Sequence, residues 1–356
     1  MRAVCPNPNF APIAGATTYG VAHAATVKTG RADSLISEFL FAGLGLIILL
    51  LAGDTLVKGA VNLSLRLGIP ALIVSLTVVA FGTSAPELLI SIKAVIDGVP
   101  GLALGNVVGS NTANVLLILG IPAMIFGMSA GSDTRRSYIF MIIGTLLFMA
   151  LAYFGPFTWW SGLILLAVLG LILVDSARAA RDHRRAVDGA PTPDDEAQDD
   201  LLEEADPDMP WWQVIGYLVL GLIGLPLGAD LLVDSSVVIA QAYGVSDAVI
   251  GLTLVAIGTS LPELATTVMA ALRKHSDVAL GNVIGSNMFN LLGIIGVAAL
   301  VGPIPVDPGI LRFDMWVMLA ASLALVPFVF RNWSMGRLVG VIFTALYVAY
   351  LLLVLA

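Results

Sequence analysis

Apolar residues run through this chain in stretches of about 20, the length an α-helix needs to cross the hydrocarbon of a bilayer. Ten such stretches stand out, at roughly 37–59, 71–97, 102–127, 137–155, 159–175, 212–236, 248–272, 278–302, 313–330 and 337–356. The longest polar interval, 176–210, follows the fifth. The pattern predicts an all-α membrane protein of ten transmembrane helices. It divides the chain into a flexible N-terminal tail over 1–36, a first five-helix repeat over 37–175, a charged linker over 176–210 and a second five-helix repeat over 211–356.

Polar positions inside the apolar stretches recur at a fixed distance. Residues 78–120 align with 254–296, each position 176 residues from its counterpart, without a gap, and 21 of the 43 pairs are identical. The identities gather in G-T-S-x-P-E-L and in A-L-G-N-V-x-G-S-N-x-x-N. An odd number of spans per repeat makes the second copy enter the membrane upside down, an inverted-topology repeat. Gly/Pro-broken apolar segments at matching places in two halves point to a transporter's binding site. Helices 2 and 7 are the broken ones.

Composition agrees. The chain is 58% hydrophobic and 12% charged, with a mean hydropathy of +0.96, against about 45–50% apolar and 25% charged in soluble domains. The net charge of −8 is local, since 11 of the 25 acidic residues lie between Asp182 and Asp208. No basic patch suggests nucleic acid, and the lone Cys5 excludes an intramolecular disulfide. Residues 1–36 lack the apolar core of a signal peptide. With the N-terminus outside, 12 of the 17 basic residues fall on inner loops, the expected bias toward the cytoplasm. Both termini are therefore expected outside and the 176–210 linker in the cytoplasm. That linker reads as a solvated connector, without a spaced D-x-D-x-D-G calcium loop.

The second span carries Gly82-Thr83-Ser84-Ala85-Pro86-Glu87. Pro86 lacks an N–H and cannot continue a helix smoothly, so carbonyls near Ala80 and Thr83 are expected to be freed inside the membrane. Glu87 falls one turn after Thr83 and Ser84. Carbonyls, hydroxyls and a carboxylate form a hard-oxygen set suited to Ca²⁺ or Na⁺. The second copy supplies Ala256, Thr259, Ser260, Pro262 and Glu263. In the next span Asn106, Ser110 and Asn114 make a polar stripe beside Gly105 and Gly109, repeated as Asn282, Ser286 and Asn290 beside Gly281 and Gly285. The glycines permit close backbone approach to the broken helix. Proline kinks, G-x-x-x-G pairs and helix serines are common glue in membranes; a carboxylate at mid-bilayer is costly and marks an ion path. Two at equivalent repeat positions carry the functional reading. Asp54 and Asp230 form another pair, read as interface residues or partners of a neighbouring helix.

Both stretches resemble the alpha repeats of the sodium/calcium exchanger family, within the calcium/cation antiporter superfamily, and the likeness in layout spans about 37–356. The resemblance implies a ten-helix inverted-repeat fold with central cation sites. It implies calcium between Glu87 and Glu263 with the carbonyls of Thr83 and Thr259. It implies one sodium site from Ala80, Thr83, Ser84, Glu87 and Ser110, and a mirror site from Ala256, Thr259, Ser260, Glu263 and Ser286. Asn114 and Asn290 would flank the middle position. Many prokaryotic relatives and the potassium-dependent exchangers carry Asp where this chain has Asn290, so the four central residues here hold a formal charge of −2. That suits one Ca²⁺ and argues against a potassium co-substrate.

The expected function is secondary antiport of Na⁺ for Ca²⁺ in a prokaryotic inner membrane. Ca²⁺ and Na⁺ are cargo, the lipid bilayer is the surrounding partner, and no cofactor, enzyme activity or obligate protein partner is expected. A Ca²⁺/H⁺ exchanger of the same fold is the alternative, disfavoured because a proton needs none of the hydroxyl and carbonyl oxygens beside each glutamate. Potassium-dependent exchange and a Ca²⁺ channel rank lower; a channel is more often a symmetric oligomer around a pore than one chain's inverted repeats. The spans also lack a His-based catalytic pair of the kind an intramembrane protease would need.

Overall fold

A computed structural model describes residues 31–129, 134–187, 209–244, 258–331 and 333–355. Among the described residues eleven helices run in order: α1 Arg31–Leu67, α2 Ala71–Thr83, α3 Ala85–Ile96, α4 Pro100–Ile125, α5 Thr134–Tyr153, α6 Trp159–Val187, α7 Trp211–Ala242, α8 Leu261–Leu272, α9 Ser276–Val301, α10 Ile310–Arg331 and α11 Arg337–Leu355. Among the described residues eight single helices are long and apolar enough to span a membrane, and α2 with α3 makes a ninth span bent by 43°. The short apolar α8 begins and ends 176 residues after α3. The residues before it, where the repeat of α2 would lie, are outside the described part. The protein is an all-α membrane protein.

Two boundaries differ from the expected ones. α1 starts at Arg31, so 31–36 is helix and not tail; nothing in Arg-Ala-Asp-Ser-Leu-Ile-Ser breaks a helix there. α6 continues to Val187, twelve residues into the expected linker, because the Ala- and Arg-rich run after Ser176 consists of strong helix formers. The remainder of the tail and the acidic part of the linker lie outside the described residues.

Loop pairing fixes the orientation of the repeats. Met128 and Ser129, just before α5, pair antiparallel with Met335 and Ser334, just after α10. Phe157, just after α5, pairs with Ile304, just before α10. α5 and α10 are counterparts in the two repeats, and each spans the membrane once. The segment before one can meet the segment after the other only if the two helices cross in opposite directions. The second repeat is inverted.

Helices sort by depth in the bundle. The α4 and α9 spans are 72% and 83% buried, whereas those of α1 and α11 are 17% buried. Outer faces carry exposed Phe39, Leu40, Ile47 and Leu51 on α1 and Leu352 and Leu353 on α11, as lipid-facing surfaces should. α1 and α7 cross closely through glycine: a Cβ on Gly45 would sit 2.6 Å from the Leu232 nitrogen, and one on Gly221 would sit 2.6 Å from the Leu56 Cβ. Small residues at such crossings replace the hydrophobic drive that lipid removes.

Candidate functional site

The break in the first repeat falls at Ser84, whose φ of −86° and ψ of 5° leave the helical region. Pro86 is therefore not an interior kink. It sits in the first turn of α3, where a missing N–H costs nothing because that group has no intrahelical partner. The Ala80 carbonyl, expected to be freed, accepts from the Ser84 N–H at 3.1 Å. A proline would release the carbonyl four residues back, that of Gly82, but backbone N–H groups at the break bond the Ala80 and Gly82 carbonyls alike. In the second copy Ser260 has the same backbone, φ −93° and ψ 6°, with Pro262 in the first turn of α8.

These breaks put each glutamate in the first turn of a short helix at the centre of the bundle. Glu87 and Glu263 are each 1% exposed. Ala80, Thr83, Ser84, Ser110, Ser260, Ser286, Asn114 and Asn290 are all buried, and Thr259 is partly buried. Ala256 lies outside the described residues. Contacts across the repeats draw the group together. Ser84 Oγ donates to Glu263 Oε1 at 3.1 Å, Thr83 Oγ1 donates to Asn282 Oδ1 at 3.3 Å, and Asn114 Nδ2 donates to Asn287 Oδ1 at 2.9 Å.

Six of the residues singled out in the sequence each keep a buried oxygen with no hydrogen-bond partner among the described residues: Glu87 Oε2, Glu263 Oε2, Ser260 Oγ, Ser286 Oγ, Asn114 Oδ1 and Asn290 Oδ1. An unsatisfied buried polar group costs about 1–3 kcal/mol, more when charged, and native interiors hold few. Six such oxygens, two of them on carboxylates, are of the hard type that Ca²⁺ or Na⁺ would satisfy. Calcium takes about six to eight oxygens. Among the described residues no cluster of three or more His, Cys, Asp or Glu side chains could hold a metal, so this set combines two acids with neutral oxygens.

Close approach is built into the second copy of the stripe. A Cβ on Gly281 would lie 3.0 Å from the Leu72 carbonyl oxygen, and one on Gly285 would lie 2.5 Å from the Leu76 carbonyl oxygen and 2.6 Å from the Ala80 Cβ. The glycines of α9 thus seat it on the broken helix of the opposite repeat, with Ser75 Oγ donating to the Val278 carbonyl at 2.6 Å. At Gly105 and Gly109 a Cβ would meet no described atom within 4 Å. The counterparts of Leu72, Leu76 and Ala80 there are 248, 252 and 256, outside the described part.

π-helical turns at Ser75–Val79, Asn114–Ile118 and Phe289–Ile294 were not foreseen. The last two contain or begin at Asn114 and Asn290, and such turns favour functional sites. Sequence reasoning also passed over Thr267, Asn111 and Asn287. Asn111 and Asn287 occupy the same place in both copies of G-S-N-x-x-N, a signal that was available. Asp54 accepts from Arg273 Nε at 2.5 Å and pairs with Lys58 at 3.2 Å, so it ties α1 to the end of α8. Asp230 is exposed.

Two inverted repeats that each break an apolar helix beside a buried carboxylate define a secondary transporter's architecture. A family model described as sodium/calcium exchanger protein matches residues 37–176 and 213–356. The chain belongs to the sodium/calcium exchanger family. It is 34% identical over 345 residues to the sodium/calcium exchanger MaX1 of Methanosarcina acetivorans, covering 88% of this chain and 97% of that one. It is 34% identical over 313 residues to the inner membrane protein YrbG of Escherichia coli, covering 86% and 93%. A solved structure of the sodium-calcium exchanger NCX_Mj superposes with a TM-score of 0.74 at 31% identity, covering 88% of this chain and 97% of that one.

Proposed function

We propose that this protein exchanges Na⁺ for Ca²⁺ across a prokaryotic inner membrane. Both termini lie outside, the polar segment between the repeats is cytoplasmic, and α1 and α7, which cross through glycines, slide to alternate access. The observation that carries the reading is the set of six unpartnered buried oxygens contributed by both repeats, two of them from Glu87 and Glu263. In this reading the glutamates hold Ca²⁺ with the Thr83 and Thr259 carbonyls. The Na⁺ positions use Ala80, Ser84 and Ser110 on one side and Ala256, Ser260 and Ser286 on the other, with Asn114 and Asn290 at the middle.

Sharing of the two carboxylates makes the occupancies exclusive. Na⁺ ions that take Glu87 and Glu263 displace Ca²⁺, and the reverse. Exchange also requires that the empty site cross poorly. Two bare carboxylates would carry −2 into a low-dielectric barrier, and burying unpaired charge is prohibitively costly. The names of MaX1 and NCX_Mj as sodium/calcium exchangers support the same driving ion, and Asn290 in place of a third acid argues against potassium.

The test is ⁴⁵Ca²⁺ uptake into proteoliposomes loaded with Na⁺, K⁺ or choline, with and without a pH gradient. Uptake only into Na⁺-loaded vesicles is the expected result. Uptake driven by the pH gradient alone replaces Na⁺ by H⁺, and uptake without any counter-ion overturns exchange.

A further inference from the structure

Asn282 sits on α9 with no exposed surface, and its amide reaches three groups on two repeats. Its Oδ1 accepts from Thr83 Oγ1 at 3.3 Å. Its Nδ2 donates to Thr267 Oγ1 at 3.1 Å and makes a longer contact of 3.4 Å with the Glu263 carbonyl. Thr83 is the last residue of α2 in the first repeat. Glu263 and Thr267 are one turn apart on α8 in the second. One side chain therefore fastens the two broken segments that flank the cation site.

The repeat supplies a second copy of this device. Asn106 on α4 is the counterpart of Asn282, Ser91 of Thr267, and Glu87 of Glu263, each 176 residues earlier. Asn106 Nδ2 and Ser91 Oγ are both buried, and neither has a hydrogen-bond partner among the described residues. The sequences around the two asparagines agree, A-L-G-N-V-x-G-S-N in both, and a hydroxyl is kept at Ser91 and Thr267, so the difference lies in how the repeats are arranged. In inverted repeats, passage to the opposite access state exchanges the arrangements of the two halves.

We propose that Asn282 is a positioning residue for exchange, fastened in the present access state, and that Asn106 takes the same role in the opposite one. The inference rests on the exchanger reading above. Each state then keeps one asparagine Nδ2 satisfied and one waiting. The bond lost at one end of the cycle is regained at the other, and the two states stay near balance. Near balance is what a carrier needs, because an affinity measured from either face is reduced by the fraction of molecules facing away. Neither asparagine need touch the ion for this.

The experiment compares Asn282→Ala with Asn106→Ala in right-side-out and inside-out membrane vesicles, reading the half-saturating Ca²⁺ concentration at each face. Removing Asn282 destabilises the present state and removing Asn106 the other. The ratio of the two half-saturating concentrations should move in opposite directions, each by roughly five- to tenfold, as loss of one buried hydrogen bond predicts. If Asn282→Ala does not fold, Thr267→Val removes the amide's acceptor at nearly constant shape and should shift the ratio in the Asn282 direction, with Thr267→Ser restoring it. Shifts of the same sign, or an unchanged ratio with only a slower turnover, overturn the proposal. Wild-type protein that takes up no Ca²⁺ against Na⁺ overturns the exchanger reading itself, a result distinct from a wild type that exchanges while its variants keep the ratio.

Discussion

The two copies of G-T-S-x-P-E-L carry the same side chains into the same bundle and leave them in different company. Glu263 receives the Ser84 hydroxyl from the other repeat, and its helix is held by Asn282. In the first copy, Ser91 Oγ and Asn106 Nδ2 have no partner among the described residues. A similar contrast appears nearer the surface. Asp54 pairs with Arg273 and Lys58, whereas its counterpart Asp230 is exposed and followed one turn later by an acid, Asp234. At the motif the same residues thus meet two environments, while around Asp54 and Asp230 the neighbours themselves differ, Lys58 against Asp234 and Arg273 against Asp97. A motif fixes which chemistry is present; the arrangement of the repeats decides which bonds are made at a given moment.

The largest effect should come from removing either carboxylate. Glu87→Gln and Glu263→Gln should each lower ⁴⁵Ca²⁺ transport by at least about a hundredfold, the scale of losing a charged ligand in a desolvated site, while thermal unfolding changes little. If only one of the two mattered, the equivalence of the copies would fail. Next is Gly285→Val. Its Cβ would press within 2.5 Å of the Leu76 carbonyl, and overpacking of this kind costs about 1–3 kcal/mol or more, readable as a lowered melting temperature in detergent.

Charge swaps at the middle position sharpen the comparison further. Asn290→Asp adds a third acid beside Glu87 and Glu263 and gives the neighbourhood another group that protons can occupy. Its Ca²⁺ uptake should become more sensitive to acid pH than the wild type's, and unchanged Na⁺, K⁺ and pH profiles would count against the role given to Asn290. The smallest effect is expected at the partly exposed ion pairs. Asp54→Asn should lower stability by about 0.5–1 kcal/mol, whereas Asp230→Asn removes a like charge one turn from Asp234 and should leave stability unchanged or slightly raised, read from paired melting curves.

Much of this was legible in the chain. The 176-residue spacing placed α3 and α8 in register to the residue, because an inverted repeat conserves the side chains that line a shared cavity as well as those that pack. The hard-oxygen set around Glu87 and Glu263 followed from residue types alone. What could not be read were the bonds between repeats. Ser84 to Glu263 and Thr83 to Asn282 join residues 179 and 199 positions apart, and no local pattern encodes them. The position of the break was also misplaced by two residues, since Pro86 looks like an interior kink until the helix is seen to end at Ser84 and begin again. The π-helical turns at Asn114 and Phe289 depend on how neighbouring helices crowd the backbone and leave no compositional trace.

The deep burial of α4 and α9 has a consequence for how the protein is made. α4 carries Asn106, Ser110, Asn111 and Asn114, a face that lipid cannot satisfy. Its partners on α9, such as Asn287 for Asn114, are encoded some 173 residues further along. At ~5–20 residues per second of synthesis they arrive roughly 10–35 s later. For that interval the newborn chain must shelter an amide stripe with the helices made before α9, or keep it at the insertion machinery. The half-synthesised chain, more than the finished transporter, is then the species most exposed to membrane quality control.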